Sequence, residues 1–385
     1  MRCCQQLAGY NPRVQHTLLG GLSPSAFLQR YWQKQPLLVR GALPDFCGLL
    51  DRRQLFELAR REDCESRLVV RTGGWTVEHG PLSARRLRSL PARGWTLLVQ
   101  GVERLVPAAR QLLAQFCFLP HARLDDLMVS FAPPGGGVGP HYDSYDVFLL
   151  QGPGRRRWRV GRQADLALVE NAPLKILRRF RPQGEAVLEA GDLLYLPPDI
   201  AHDGVAETDC FTYSIGFRAP RYDELKREFL AFLEESVHLE GIYQDPELRQ
   251  ARHPSLISEA MIRRVEARLA EIRWNRATVA EFLGRYLTEP KMAVRFDPPA
   301  AEGGSGAFGR ALAARGARLA PGTLMLMRGK RVYVNGEGFD VPADAGPALL
   351  TLADSRSLSA RQARSSAALR TLLHRWYRDG YLELD

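Results

Sequence analysis

Two histidines and an aspartate carry the chemistry that can be read from this chain. His141 and Asp143 stand two residues apart in SFAPPGGGVGPHYDSYDVFLLQ, a run with strand character. Alternate side chains of a strand share one face, so both can hold the same ion. His202 follows a second strand-like segment, Leu193 to Leu196, and the Pro197-Pro198 turn, in GDLLYLPPDIAH. A loop beyond that turn can return it to the first pair. Two imidazoles and one carboxylate, with the other coordination positions open, make the facial triad of non-haem Fe(II) oxygenases. A lone His-x-Asp pair is weak, because such pairs also occur in turns and ion-pair clusters. The Gly-Asp turn, apolar strand, Pro stop and His together match the place where double-stranded β-helix barrels deliver their last metal ligand. The competing reading, a histidine satisfied inside a β core, would have to hold independently at His141 and at His202.

Arg155, Arg156 and Arg157 come next, in GRRRWRV. Three consecutive strand residues cannot share a face, so either Arg156 or the outer two point inward. A charge inside a barrel needs an anion to meet it. The guanidinium fork fits a carboxylate, and 2-oxoglutarate, the usual co-substrate of facial-triad iron, carries a distal one. A solvated basic strand edge is the alternative.

Three long motifs resemble those of the JmjC-type ribosomal oxygenases: YWQKQPLLVRGA at 31–42, PGGGVGPHYDSYDVFLLQGPGRRRWRVG at 134–161 and GDLLYLPPDIAH at 191–202. The resemblance covers most of residues 17–218. It is strongest to the bacterial branch that hydroxylates an arginine of large-subunit ribosomal protein L-sixteen. It implies a protein hydroxylase using Fe(II) and 2-oxoglutarate, with His141, Asp143 and His202 as iron ligands. It further implies Arg156 as partner of the distal carboxylate and Ser130 as a hydroxyl neighbour of the co-substrate. Histidine hydroxylation and lysine demethylation stay open, since pocket shape chooses the target. So do a zinc or manganese cupin without 2-oxoglutarate, and a nucleic-acid-binding scaffold with a vestigial barrel.

The chain that must position these groups has 385 residues, enough for two or three domains. No apolar run approaches the ~20 residues of a membrane helix, and MRCCQQLAGYNPR lacks the apolar core of a signal peptide, so a cytoplasmic protein is expected. Six scattered cysteines (Cys3, Cys4, Cys47, Cys64, Cys117, Cys210) suggest neither a zinc knuckle nor a disulfide framework. The net charge is +10, but only five of the 53 basic residues are Lys, and there is no basic tail or long Lys/Arg block. Direct nucleic-acid binding is therefore disfavoured.

The expected fold is α+β: a double-stranded β-helix of the JmjC or cupin-like kind over 1–220, a helical dimerisation region over 221–289 and a winged-helix-like domain over 290–385. Ser23-Pro24 opens a helix with Phe27, Leu28 and Tyr31 on one face, and Asp51 to Arg60 forms another. RLVVRT and GWTLLVQG read as strands extending the barrel sheet, Pro107 to Phe116 as a helix, Arg162 to Gly184 as an insert and CFTYSIGF as the last barrel strand. PGGGVGP at 134–140 lacks the Lys and following helix of a phosphate loop, and reads as a flexible rim beside the metal. Apolar stripes through Leu225, Phe229, Phe232 and Leu233, then Ile257, Met261, Ile262, Val265, Leu269 and Ile272, predict two amphipathic helices. Such stripes need covering, and the resemblance favours a homodimer. Pro290 to Gly306 looks like a linker. TLMLMRGKRVYVNGEGFDVP is expected to turn near Gly329-Lys330, and Leu369, Leu372, Leu373 and Trp376 mark the inward stripe of a helix over 361–380. Asp125, Asp126, Asp146, Asp199 and Asp203 could supply partners for a substrate guanidinium.

Overall fold

The computed structural model describes residues 17–71, 73–291, 294–300, 304–364 and 366–385; Cys3 and Cys4 lie outside them. The Ser23 hydroxyl accepts the Ala26 amide at 3.1 Å and starts the helix Pro24–Arg30. Phe27 is fully buried beneath it, but Leu28 is 36 % exposed, so the apolar face is narrower than its spacing suggests. Asp51 and Gln54 form a capping box that opens the helix Arg52–Leu58.

Eleven strands lie between residues 37 and 217: β1 (Leu37–Val39), β2 (Ser66–Arg71), β3 (Trp75–His79), β4 (Trp95–Val99), β5 (Leu124–Ala132), β6 (Asp146–Gln151), β7 (Arg156–Gly161), β8 (Gly184–Leu188), β9 (Leu193–Leu196), β10 (Ala201–Ala206) and β11 (Cys210–Phe217). Eight form one antiparallel sheet in the order β1-β9-β6-β11-β5-β4-β2-β3, and β10-β7-β8 form a second. The strands at 66–71 and 95–99 extend the larger sheet as expected. The segment 162–183 is irregular apart from a Leu168–Leu177 bridge.

Both faces of the larger sheet are covered, and strict alternation decides what each face carries. On β6, Val147 and Leu149 join Trp158, Leu194 and Leu196 in a small inner core, whereas Phe148 and Leu150 enter the main core with Phe27 and Phe116. On β11, Phe211, Tyr213, Ile215 and Phe217 go to the main core, leaving Thr212, Ser214 and Gly216 on the inner side. β5 repeats the pattern with Leu127, Val129 and Phe131 outward and Asp126, Met128 and Ser130 inward. The outward rows anchor the sheet, and the inward rows are free to be polar.

The glycine-rich segment 134–140 is held firmly. Gly135 donates to the Ala206 carbonyl at 2.8 Å, and Ala206 donates back to Gly136 at 2.9 Å. A Cβ on Gly136 would lie 2.1 Å from the Trp95 carbonyl oxygen, and one on Gly137 2.6 Å from that of Gly204. These glycines permit close backbone approach between the two sheets; the expectation of a loose rim is corrected on that ground.

Beyond Pro220, helices span Tyr222–Ser236, Glu259–Leu269 and Arg276–Thr288. The second begins and ends inside the stretch expected to be one long helix. The third, capped by Asn275 and Thr278, was not anticipated. It packs on the C-terminal sheet: Glu281 accepts from Arg331 and Tyr333 at 2.8 and 3.0 Å, and Gly284 lies directly under the Tyr333 ring. Residues 276–288 thus travel with the C-terminal unit.

That unit holds the helices Ser305–Arg315, Gly346–Ser355, Ala360–Ala363 and Ala367–Arg378. Its strands are β12 (Ala317–Leu319), β13 (Met325–Arg328), β14 (Arg331–Val334), β15 (Glu337–Asp340), β16 (Ser357–Leu358) and β17 (Leu382–Leu384). β13 and β14 turn at Gly329-Lys330 as read from sequence. Leu369, Leu373 and Trp376 are fully buried, though the expected single helix over 361–380 is two. Cys64 and Cys210 are buried thiols, whereas Cys47 is disulfide-bonded, although the scattered cysteines suggested no disulfide framework.

Candidate active site

His141, Asp143 and His202 come together, each offering one ligand atom within 4.8 Å of the others. The supports differ from the expected ones. His141 and Asp143 lie in the irregular approach to β6, and His202 is the second residue of β10 rather than part of a loop. The two histidines form an isolated antiparallel bridge, with ring centroids 4.2 Å apart. Nδ1 of His141 donates to the Gly139 carbonyl and Nδ1 of His202 to that of Ile200, both at 2.9 Å. Those bonds fix the tautomers and leave each Nε2 free, the arrangement typical of metal-binding imidazoles. Nε2 of His202 lies 3.7 Å from Oδ2 of Asp143. Burial and the neighbouring His141 push the His202 imidazole down to about 4, against the pull of Asp143, so it is neutral and able to ligate.

These three residues line a cavity of about 480 Å³ between the two sheets. Arg156, Ser130, Thr212 and Trp158 share its wall. Of the three consecutive arginines Arg156 faces inward and is 3 % exposed; Arg155 and Arg157 face outward to Glu207. Nη2 of Arg156 donates to the Gly204 carbonyl at 3.1 Å and Nη1 to the Thr212 hydroxyl at 3.4 Å. Its Nε, and the indole N–H of Trp158, are buried without an acceptor among the described residues. Burial lowers the Arg156 pKa, but the guanidinium stays charged. A buried cation beside orphaned donors is the environment a small carboxylate would complete. Ser130 is buried on β5 opposite Thr212.

The acidic residues separate cleanly. Asp125 and Asp126 line the cavity. Asp146 lies on the outer face, accepting from Tyr195 at 2.6 Å and Gln33 at 2.9 Å. Asp203 is paired with Arg159, and Asp199 occupies a left-handed turn. Lys291 places Nζ 2.9 Å from Asp125 and 3.3 Å from Asp126. Thr212, Trp158 and Lys291 escaped the sequence reading; the alternation of FTYSIGF would have revealed Thr212, but nothing local marks Lys291.

A double-stranded β-helix carrying this triad and an inward arginine defines a JmjC-type oxygenase, and residues 111–225 match the JmjC domain model. Residues 271–383 match a ROXA-like winged helix and 182–274 an AraC-like ligand binding domain. The ribosomal protein uL16 3-hydroxylase of Escherichia coli is 34 % identical over 87 % of this chain and 89 % of its own length. A probable ribosomal oxygenase of Haemophilus influenzae is 42 % identical, over 59 % of this chain and 55 % of that protein. The chain also superposes on the Escherichia coli ribosomal oxygenase YcfD in complex with cobalt and 2-oxoglutarate, with a TM-score of 0.81, 32 % identity, and coverage of 94 % of this chain and 98 % of that one. The chain belongs to the JmjC ribosomal oxygenase family.

Proposed function

We propose that this protein is an Fe(II)- and 2-oxoglutarate-dependent dioxygenase that hydroxylates the 3-position of an arginine in ribosomal protein uL16. The observation that carries the reading is the cavity itself, lined by the His141, Asp143, His202 triad and by the buried Arg156. His141 and His202 would hold the iron through Nε2 and Asp143 through its carboxylate. Arg156 would hold the distal carboxylate of 2-oxoglutarate, with the Ser130 and Thr212 hydroxyls adjoining. With oxygen, the bound iron and co-substrate supply the oxidising power for a C–H bond, releasing succinate and carbon dioxide. The chain's part is to orient the co-substrate, keep the His202 imidazole neutral and exclude bulk water.

Asp125 and Asp126 line the cavity but are already paired, both with Lys291 and Asp125 also with Arg218, so the choice of arginine over histidine rests on the similarity to the uL16 3-hydroxylase. The exposed apolar residues of Glu259–Leu269 support a homodimer, with 221–289 as its core and the units 1–220 and 290–385 on either side, residues 276–288 packing on the latter. Among the described residues no helix is long and apolar enough to cross a membrane. A ribosomal substrate would be met in the cytoplasm, where we place the enzyme; nucleic-acid contact is not part of the proposal. The test is incubation with Fe(II), 2-oxoglutarate and an arginine-containing uL16 fragment, followed by mass spectrometry. One oxygen on arginine is expected. Oxygen on a histidine of another ribosomal protein would keep the oxygenase and remove the arginine assignment; modification of neither would remove the ribosomal substrate.

A further inference from the structure

The inner face of the larger sheet continues past the co-substrate pocket. Ser130 on β5 pairs with Leu98 on β4, and Leu98 with Arg67 on β2; Thr96, paired with Val69, lies on the same face. Arg67 and Thr96 line the cavity that holds the triad. Thr96 is 1 % exposed and its hydroxyl has no hydrogen-bond partner among the described residues. The Nε of Arg67 is likewise buried and unpartnered, and among the described residues its guanidinium meets no carboxylate. Orphaned buried donors are rare in native proteins, and two diagonal neighbours on one pleated face can serve a single ligand.

We propose that Arg67 and Thr96 form a subsite for the main chain of a polypeptide substrate, donating to a backbone carbonyl oxygen near the residue that is hydroxylated. The proposal rests on peptide hydroxylation as read above. β2 lies two strand spacings, roughly 10 Å, from β5, and an extended chain advances about 3.3 Å per residue. Ser130 on β5 borders the co-substrate site, so the contacted carbonyl belongs to a residue a few positions along the chain from the one that is hydroxylated. Main-chain carbonyls occur at every position, so the subsite reads an extended polypeptide without demanding a side chain. A free amino acid cannot reach it. The positive charge also disfavours a substrate lysine or arginine there.

The test combines near-isosteric variants, Arg67→Met and Thr96→Val, with peptides shortened by three residues on either side of the arginine. In the wild type one of the two truncations is expected to raise KM about tenfold or more. Arg67→Met is expected to raise KM for the full fragment by a similar factor with kcat within about twofold, and that truncation then adds nothing. Thr96→Val moves the same way by a smaller factor. The KM for 2-oxoglutarate stays constant, and unfolding midpoints stay at or above wild type, because no internal hydrogen bond is lost. An unchanged KM in Arg67→Met, full additivity with truncation, or a large fall in midpoint would each overturn the subsite. Disappearance of the effect with a fragment whose acidic residues are amidated would transfer the contact to a side-chain carboxylate and overturn the main-chain version. Where the wild type binds the fragment without turnover, the same cycle is read as affinity. Absence of both binding and turnover removes the proposed function and the subsite together; turnover without length dependence removes the subsite alone.

Discussion

His141 and His202 exchange both main-chain hydrogen bonds, at 2.9 and 2.8 Å, although one precedes β6 in the larger sheet and the other lies on β10 in the smaller. The bridge presents both imidazoles to the cavity before any ion arrives. His141→Ala, His202→Ala and Asp143→Ala should therefore abolish succinate formation while the proteins remain folded, which circular dichroism and a turnover assay would check together. Asp143→Glu should fail as well, its longer arm misplacing the carboxylate. Chelation should silence the wild type and ferrous iron restore it. Wild-type turnover in any of the four variants would remove the metal assignment.

Among the described residues Arg156 has no carboxylate partner, so its value should appear only with the co-substrate. Arg156→Ala should raise the KM for 2-oxoglutarate a hundredfold or more, in line with about 3 kcal/mol or above for truncating one member of a buried charge pair. Arg156→Lys should recover only part of this, lacking the planar fork. A Cβ at Gly204 would sit 2.7 Å from the Trp158 ring and 2.8 Å from Nε of Arg156. Gly204→Ala should thus reproduce the same defect indirectly, measured as 2-oxoglutarate affinity. Unaltered affinity in Arg156→Ala would place the distal carboxylate elsewhere.

The motif residues were legible because their chemistry is local: a triad, an Arg in a strand, a Pro stop. The sequence reading of a loose glycine rim failed because glycine serves flexibility and close approach equally, and only the Gly136–Trp95 and Gly137–Gly204 contacts separate the two. The helix Arg276–Thr288 escaped notice although Asn275 and Thr278 spell a cap, because its apolar stripe is short and its partner, Tyr333, lies 49 positions or more along the chain. Asp125 and Asp126 could not be told from Asp146 by type. Asp126 looks inward with Met128 and Ser130 because a strand alternates and register fixes which parity does so, whereas Asp125, of the opposite parity, borders the cavity near the strand's start, beside Lys291.

Glu103 gives a pH dependence. Burial, with Asp126 beside it, pushes its carboxyl up to about 7 against the opposing effects of the Leu127 amide, which donates to it at 3.0 Å, and of Arg104. Arg110 and Arg356 also face it. The folded protein then binds this proton more tightly than the unfolded chain, whose carboxyl titrates near 4.5. The contribution to stability is full below about 4.5 and is lost as pH rises to about 7. Glu103→Gln should flatten the unfolding midpoint over that window and raise it at pH 8. An identical pH profile in the variant would contradict the assignment.

The last prediction concerns the helix Glu259–Leu269. Met261, Ile262, Val265 and Leu269 are each at least 40 % exposed, and the helix buries no residue against the described remainder of its own chain. Apolar groups spaced at three and four along a helix form a stripe that water covers poorly, and a second copy can cover it by the same stripe about a two-fold axis. Burying two such side chains contributes about 1.5 to 3 kcal/mol each. Replacing Met261 and Val265 together by Glu should weaken the dimer by a hundredfold or more and give monomers at micromolar concentration in light scattering. The helix itself should persist, since Ser258 still caps it at 3.2 Å from the Met261 amide, a bond the substitution leaves in the backbone. A wild-type protein that is already monomeric at that concentration would end the dimer reading, and the exposed stripe would then need a different partner.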